Sequence, residues 1–205
     1  RVAGSVALVV ALAFAGSARA QCFASRLFPD KPRTNDALGK HVDISGTRAI
    51  LGAPGLNQTN GRAVIFERSG AQEWSEVASI ESPEPDDSNF FGAAVAIDGN
   101  FVAVGAPYAD VGSAANGGRV YVYRRLTLFG NPVWVLDATV NTAFPGINDR
   151  FGWAVDLATI GSTLTLAVGI PRYDEDDVFD SGRARIFTRD AEGNWSLQDT
   201  VIAHT

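Results

Sequence analysis

The sequence contains almost no sulfur. Cys22 is the only cysteine among 205 residues, so no disulfide can form within one chain. We expect Cys22 to be a free, inert thiol; the alternative is a lipid anchor, for which the preceding Ala20-Gln21 is a poor match. Methionine is absent altogether. The initiating residue is therefore missing, and we expect the chain to be a fragment of a longer protein.

Positive charge and histidine are also scarce. The chain has 17 lysines and arginines against 23 aspartates and glutamates, which gives a net charge of −6 at pH 7. Because nucleic-acid surfaces need a basic patch, the sequence argues against a nucleic-acid partner. There are only two histidines. The sequence also lacks a serine nucleophile elbow, a zinc-protease helix, a phosphate-binding loop and a dinucleotide fingerprint. We therefore predict no catalytic residues and expect a protein that is not an enzyme.

Long apolar runs are limited to the N-terminus. An apolar stretch from Val6 to Ala15 precedes Gly16-Ser17 and the cleavage-type sequence Ala18-Arg19-Ala20. This arrangement predicts a signal peptide over residues 1–20 and a secreted, periplasmic or cell-surface location. A buried N-terminal helix is the alternative. The stretch is too short for an ordinary transmembrane helix, and no second run predicts a transmembrane anchor.

What the sequence does have is one pattern written three times. Each copy combines an aromatic or apolar residue plus glycine with a later Gly-x-Pro: Leu38-Gly39 with Gly52-Ala53-Pro54, Phe91-Gly92 with Gly105-Ala106-Pro107, and Phe151-Gly152 with Gly169-Ile170-Pro171. Each copy continues into a Gly-Arg strand and a tryptophan: Trp74, Trp134 and Trp195. The copies recur at intervals of roughly 50 to 60 residues, close to the length of a four-stranded propeller blade with its loops.

Each copy predicts four short β-strands. The first hairpin turns at Ser45-Gly46-Thr47 and Asp98-Gly99-Asn100, while the third copy predicts a longer turn around Gly161-Ser162. The Gly-x-Pro ends the second strand, because proline cannot donate to a β-ladder. We therefore predict an all-β chain of three four-stranded propeller blades. They cover residues 37–82, 83–142 and 143–205, after a lead-in at 21–36.

These motifs resemble the FG-GAP repeat family, the β-propeller repeats of integrin α-subunit heads and of many secreted bacterial proteins. The resemblance covers roughly residues 30–203, and the first copy departs from it by having Leu38 in place of phenylalanine. It implies a secreted or cell-surface module for binding, cell adhesion or structure, with a protein or glycan partner. Because propellers close with about four to eight blades, we expect further blades beyond these three.

Calcium is the one cofactor that the sequence brings into question. Integrin-type repeats carry a calcium loop between the Phe-Gly and the Gly-Ala-Pro, and here that interval holds too few oxygens for the ion. A separate acidic run at 173–182 offers Asp174, Asp176 and Asp180 as candidate calcium ligands. The alternative is a solvated acidic loop that ends in the same Gly-Arg turn as the other copies.

Two further alternatives concern function. The alternative function is the scaffold part of an extracellular carbohydrate-processing or hydrolytic enzyme whose active residues lie outside this chain. The recurring aromatic residues, including Tyr121 and Tyr123, predict packing between blades in preference to a sugar-binding platform. Asparagines and aspartates before each Phe-Gly predict turn stabilisation, and the alternative is a polar ring around one mouth of a propeller.

Overall fold

The computed structural model describes residues 27–55, 61–70, 73–84, 89–175 and 178–202. These residues form twelve β-strands and no helix. No helix in this part of the chain is thus long and apolar enough to cross a membrane. The predicted signal peptide at 1–20 and Cys22 lie outside the described residues.

The strands form three four-stranded antiparallel sheets, each in simple chain order. The first sheet contains β1 (Val42–Ser45), β2 (Arg48–Ala53), β3 (Arg62–Arg68) and β4 (Trp74–Glu81). The second contains β5 (Ala94–Asp98), β6 (Phe101–Ala106), β7 (Arg119–Leu128) and β8 (Asn131–Val140). The third contains β9 (Ala154–Ile160), β10 (Thr163–Ile170), β11 (Arg183–Arg189) and β12 (Trp195–Ile202). The prediction of an all-β chain with three four-stranded units is confirmed.

The first hairpin of every sheet closes with a two-residue turn. Its glycine has positive φ in each case, at Gly46, Gly99 and Gly161, as such tight turns require. The longer turn predicted for the third copy is wrong. The strands β9 and β10 extend their pairing to Ile160 and Thr163, so the additional residues lengthen the ladder and not the loop.

The hydrophobic core consists of two layers, one on each face of the second sheet. Between the first and second sheets, Ile50 and Ile65 pack with residues such as Val104 and Tyr121. Between the second and third sheets, small residues of the second sheet, including Ala96 and Ala103, pack against larger apolar residues. These larger residues include Phe151, Leu166, Val168 and Phe187. The second sheet is therefore covered on both faces.

In each sheet, a backbone hydrogen bond joins the Gly-x-Pro segment to the turn that contains the Phe-Gly pair. We call this turn the Phe-Gly turn in all three sheets, although the first has Leu38-Gly39. The N–H of the first glycine donates to the carbonyl of the second: Gly39 to Gly52 at 2.9 Å, Gly92 to Gly105 at 3.0 Å, and Gly152 to Gly169 at 3.2 Å. The two halves of the repeat motif thus fix the start of a sheet's first strand against the end of its second.

The same glycines bring neighbouring sheets into close contact. A Cβ on Gly52 would lie 2.2 Å from the Gly92 carbonyl oxygen, and one on Gly105 would lie 2.1 Å from that of Gly152. The turn of each following sheet therefore packs directly on the glycine of the sheet before it. The first strands are also neighbours, with β1 beside β5 and β5 beside β9. This stacking is consistent with the blades of a β-propeller.

Candidate functional site

The three Phe-Gly turns share a strained backbone conformation. The residue two positions before the glycine has positive φ in every copy: 53° at Ala37, 55° at Phe90 and 59° at Arg150. This left-handed region is unfavourable for residues other than glycine, and such strain is concentrated at ligand-binding and catalytic sites. Alanine is small, but Phe90 and Arg150 carry bulky side chains into the same position.

The side chains of Phe90 and Arg150 lie in one aromatic cluster with Tyr108 and Trp153. The ring centroids of Phe90 and Tyr108 are 4.6 Å apart, and those of Tyr108 and Trp153 are 6.3 Å apart. The Arg150 guanidinium carbon lies 4.6 Å from the Tyr108 centroid and 5.4 Å from the Trp153 centroid. The guanidinium is thus held against two ring faces by cation–π attraction. We call these four residues the aromatic cluster.

A small cavity opens beside the aromatic cluster, where the Phe-Gly turns of all three sheets approach one another. Its volume is about 100 Å³, and it is lined by Lys40, His41, Phe90, Ala93, Pro107, Tyr108 and Trp153. Trp153 remains 45% exposed. None of these lining residues is a carboxylate, so the cavity combines flat apolar surface with basic side chains.

Arg150 differs from the arginines that open the third strands. Those form ion pairs: Arg62 with Asp36, Arg119 with Glu84, and Arg183 with Glu175. Arg150 forms no salt bridge with a described residue, and its Nε is buried without a partner, as are the Nε atoms of Arg119 and Arg183. Buried polar groups are nearly always hydrogen-bonded in folded proteins. In this protein several arginines share the unpartnered Nε, and Arg150 differs from Arg119 and Arg183 in having no ion pair with a described residue.

The acidic loop predicted to bind calcium has the same local structure as its counterpart in the second repeat. Asp174 Oδ1 accepts the backbone N–H of Asp180 at 2.8 Å, and Asp110 Oδ1 accepts that of Asn116 at the same distance. Asp180 and Asn116 both have positive φ, at 52° and 53°. Asp174 thus closes the loop by a hydrogen bond that the second repeat also makes.

The acidic side chains of this loop were the predicted calcium ligands. Asp176 lies outside the described residues. Among the residues that the structure describes, no group of three or more histidine, cysteine, aspartate or glutamate side chains converges to hold a metal ion. Burial raises the pKa of the nearby Asp149; a hydrogen bond from the Gly146 N–H opposes this, and the charge of Asp174 adds to it. Calcium binding by Asp174, Asp176 and Asp180 stays a prediction.

The polar residues before each Phe-Gly bind the backbone or the neighbouring sheet. Asn89 is fully buried, and its Oδ1 accepts the backbone N–H of Phe91 at 3.0 Å. Asn148 accepts a hydrogen bond from the Asn116 side chain, 2.8 Å away. These contacts stabilise the turns, and this is the role that the sequence favours for them.

The aromatic cluster does not follow from the repeat pattern in the sequence. That pattern consists of residues that recur, whereas the residues of the cluster occupy equivalent positions that differ between copies. The sets are Ala37, Phe90 and Arg150; Lys40, Ala93 and Trp153; and Gly55, Tyr108 and Arg172. Trp153 is also the one tryptophan of four without a counterpart in the other copies. Variation beside an unvarying motif was the available signal, because repeat proteins often gather their binding residues on one face.

No curated protein sequence matches the chain. Among solved structures, it is similar to a hypothetical selenium-binding protein from Sulfolobus tokodaii, with 13% identity and a TM-score of 0.40. That similarity covers 74% of this chain and 37% of the other, so this chain spans little more than a third of that protein's length.

The family comparison is more specific. Residues 74–123 match the family model described as the FG-GAP repeat, and the matched segment contains both Phe91-Gly92 and Gly105-Ala106-Pro107. These are the residues whose backbones join the two halves of the motif in the second sheet. Residues 74–123 are therefore an FG-GAP repeat, and the all-β chain that contains them is consistent with the FG-GAP repeat family.

Proposed function

We propose that this chain is a non-catalytic binding module of a secreted or cell-surface β-propeller protein. FG-GAP repeats are typically extracellular or surface modules without catalytic activity, and this supports both the location and the role. We further propose that residues 37–82, 83–142 and 143–205 are its three blades. The aromatic cluster beside the three Phe-Gly turns is the ligand-binding site.

The exposure of Trp153 in the aromatic cluster is the observation that carries this proposal. Tyrosine and tryptophan in the core serve packing, and Tyr121 is an example: it is fully buried, and burial raises its pKa to about 12. Trp153 instead leaves nearly half of its surface in solvent beside a cavity. Large aromatic faces next to a fixed cation give a ligand both apolar contact and an electrostatic partner.

The chemistry of the cavity favours binding over catalysis. Glycoside hydrolysis ordinarily needs two carboxyl groups that face each other across the scissile bond. No carboxylate lines this cavity among the described residues. Its volume of about 100 Å³ accommodates one group of a ligand, and the remainder would lie across the turns around it.

Binding can be tested with the full chain on an array of immobilised glycans and extracellular proteins. We expect retention on a subset of glycans and loss of roughly ten-fold or more in affinity for Trp153→Ala, because the most exposed aromatic side chain of the cluster is removed. Phe129→Ala is the matched control. Phe129 is a fully exposed aromatic residue in the turn between β7 and β8, outside the cluster, so its removal should leave binding unchanged. Equal binding by the two variants would contradict the proposed site.

A further inference from the structure

The cavity beside the aromatic cluster is a basic spot on an acidic protein. Lys40 and His41 line it, and the Arg150 guanidinium, which is not among the lining residues, lies over the neighbouring Tyr108 and Trp153 rings. The chain as a whole carries a net charge of −6. Basic side chains collected where no carboxylate lines the wall attract a negatively charged group.

The geometry of Arg150 specifies the kind of negative group. The Arg150 guanidinium lies over two aromatic rings, and the N–H donors of a guanidinium lie in its plane. These donors form a planar fork that matches the two oxygens of a carboxylate. Since no described residue supplies such a carboxylate to Arg150, a ligand can do so.

The position of Trp153 indicates which chemical group of the ligand carries the carboxylate. This residue is 45% exposed, and its ring centroid lies 5.4 Å from the Arg150 Cζ. An aromatic face is electron-rich, and it attracts the weakly positive C–H groups on the flat side of a sugar ring. A ligand that satisfies both neighbours therefore has a flat saturated ring and a carboxylate within a few ångströms of each other.

The position of the cavity argues against an acidic peptide. Its seven lining residues lie in turns and none belongs to a β-strand. The cavity therefore offers no strand edge on which an extended peptide could form a backbone ladder. A saccharide needs no such edge, because its contacts are made by ring faces and substituents.

We infer that the aromatic cluster binds acidic saccharides, with a uronic acid ring on Trp153 and its carboxylate paired with Arg150. This inference rests on the proposed binding function and names the class of ligand. The aromatic face provides contact with the ring, and the guanidinium discriminates between acidic and neutral sugars. Lys40 adds a second positive charge at the rim of the cavity.

The experiment compares ligands that differ only in charge. The full chain is titrated with trimers of galacturonate and of glucuronate, and with the same trimers after methyl esterification, by calorimetry and by tryptophan fluorescence. We expect the acids to bind roughly ten-fold or more tightly than the esters, because esterification removes the charge and keeps the ring. The preference should shrink as salt is added, since the cavity is open to solvent.

Variants then assign the charge preference to its residue. Arg150→Gln should bind acid and ester alike, and Arg150→Lys should keep part of the preference, because it retains the charge but not the planar fork. Phe129→Ala should behave like the wild type. The comparison of acid with ester in the wild type stands even if a variant of Arg150 fails to fold.

Each other outcome overturns a defined part of the argument. Equal binding of acid and ester, lost in Trp153→Ala, would leave the binding function standing and overturn the acidic class. Binding of poly-glutamate without binding of either uronate would also overturn the saccharide class. If no uronate, ester or immobilised glycan binds, or if Trp153→Ala binds as well as Phe129→Ala, the proposed function fails together with this inference.

Discussion

The arginine that opens the third strand of each sheet meets an acid from a different part of the chain. Arg62 pairs with Asp36 in the lead-in, Arg119 with Glu84 after β4, and Arg183 with Glu175 in its own loop. The recurrence of the arginine is visible in the sequence. Its partner was not predictable, because the acid holds no fixed place in the repeat and only the folded chain brings the two together.

Removing the arginine of the first sheet should be costly. Arg62 is 1% exposed, and its Nε donates to Asp36 Oδ2 at 2.9 Å. Arg62→Ala leaves the carboxylate of Asp36 in a largely buried place without its partner, which typically lowers the free energy of unfolding by about 3–5 kcal/mol. Arg68→Ala removes an exposed arginine from the same strand and should change it by less than about 0.5 kcal/mol. Urea unfolding followed by tryptophan fluorescence measures both, and equal effects would contradict the role of the buried pair.

Asp137 links the second and third sheets and gives the protein a dependence on pH. Its side chain is 5% exposed, and it accepts hydrogen bonds from Arg189 Nε at 2.9 Å, Arg189 Nη2 at 3.0 Å and Trp195 Nε1 at 3.4 Å. Burial acts to raise the pKa of Asp137, but the hydrogen bonds and charge of Arg189, the Trp195 hydrogen bond and the charge of Arg124 outweigh it. The pKa in the folded protein is therefore below its ordinary value.

The sign of the pH effect follows from this lowered pKa. A carboxyl with a lower pKa in the folded state stabilises the protein fully above its unfolded pKa, near pH 4, and this stability is lost as the pH falls through the folded pKa. Asp137→Asn should lower the melting temperature at pH 7 and flatten its decline below about pH 4. Asp199→Asn, at an exposed carboxylate of β12, is the control. If the melting temperature of Asp137→Asn declined at low pH as steeply as that of the wild type, the Asp137 ion pair would contribute nothing to stability.

The strands and their turns were largely readable from the sequence, but the packing between sheets was not. Glycine and proline mark strand ends through local backbone chemistry, and the apolar runs between them fit covered strands. The motif glycines have a second role that no local rule reveals. Position 105 lies within a strand and yet holds a glycine, because the Gly152 carbonyl of the next sheet occupies the space where a side chain would be.

This close approach gives a test at the level of the repeat. A methyl group on Gly105 would lie 2.1 Å from a backbone oxygen, so Gly105→Ala must push the second and third sheets apart. At the equivalent Gly169, an added methyl group would meet nothing closer than the Ala154 Cβ at 3.3 Å. We expect Gly105→Ala to lower the free energy of unfolding by about 2 kcal/mol or more and Gly169→Ala by less than about 1 kcal/mol. Chemical denaturation measures both, and similar losses would exclude inter-sheet packing as the reason for the glycine.

Across the whole molecule, stability should follow how many faces of a sheet are covered. The second strands β2, β6 and β10 are hydrogen-bonded to neighbours on both sides within their sheets. Only β6 lies in the sheet that has a core layer on each face, and five of its six residues are buried. Local opening that exposes these amides should be rarest there.

Hydrogen exchange at the backbone amides can check this order. We expect the amides of Val102 to Ala106 in β6 to exchange roughly ten-fold or more slowly than those at matched positions of β2 and β10. The comparison holds strand position and hydrogen bonding constant and varies the covering of the faces. Equal or slower exchange in β10 would mean that covering by neighbouring sheets does not set local stability here.

The candidate site was the least predictable feature of the molecule. Trp153, Tyr108 and Phe90 come from segments that are far apart in sequence, and each looks like an ordinary exposed or packing aromatic residue by itself. Periodicity reports what the copies share, whereas the aromatic cluster is made of what they do not share. The candidate site forms only where the three turns lie close together, and their proximity depends on how the sheets stack.

The left-handed residue beside each Phe-Gly has a practical consequence for engineering. Backbone hydrogen bonds between glycines hold the turns, and those bonds do not depend on which side chain stands at positions 37, 90 and 150. The scaffold and the recognition surface are thus encoded at separate positions of the same short segment. A library that varies these three positions together with 40, 93 and 153 would redesign the specificity of the module while leaving the framework untouched.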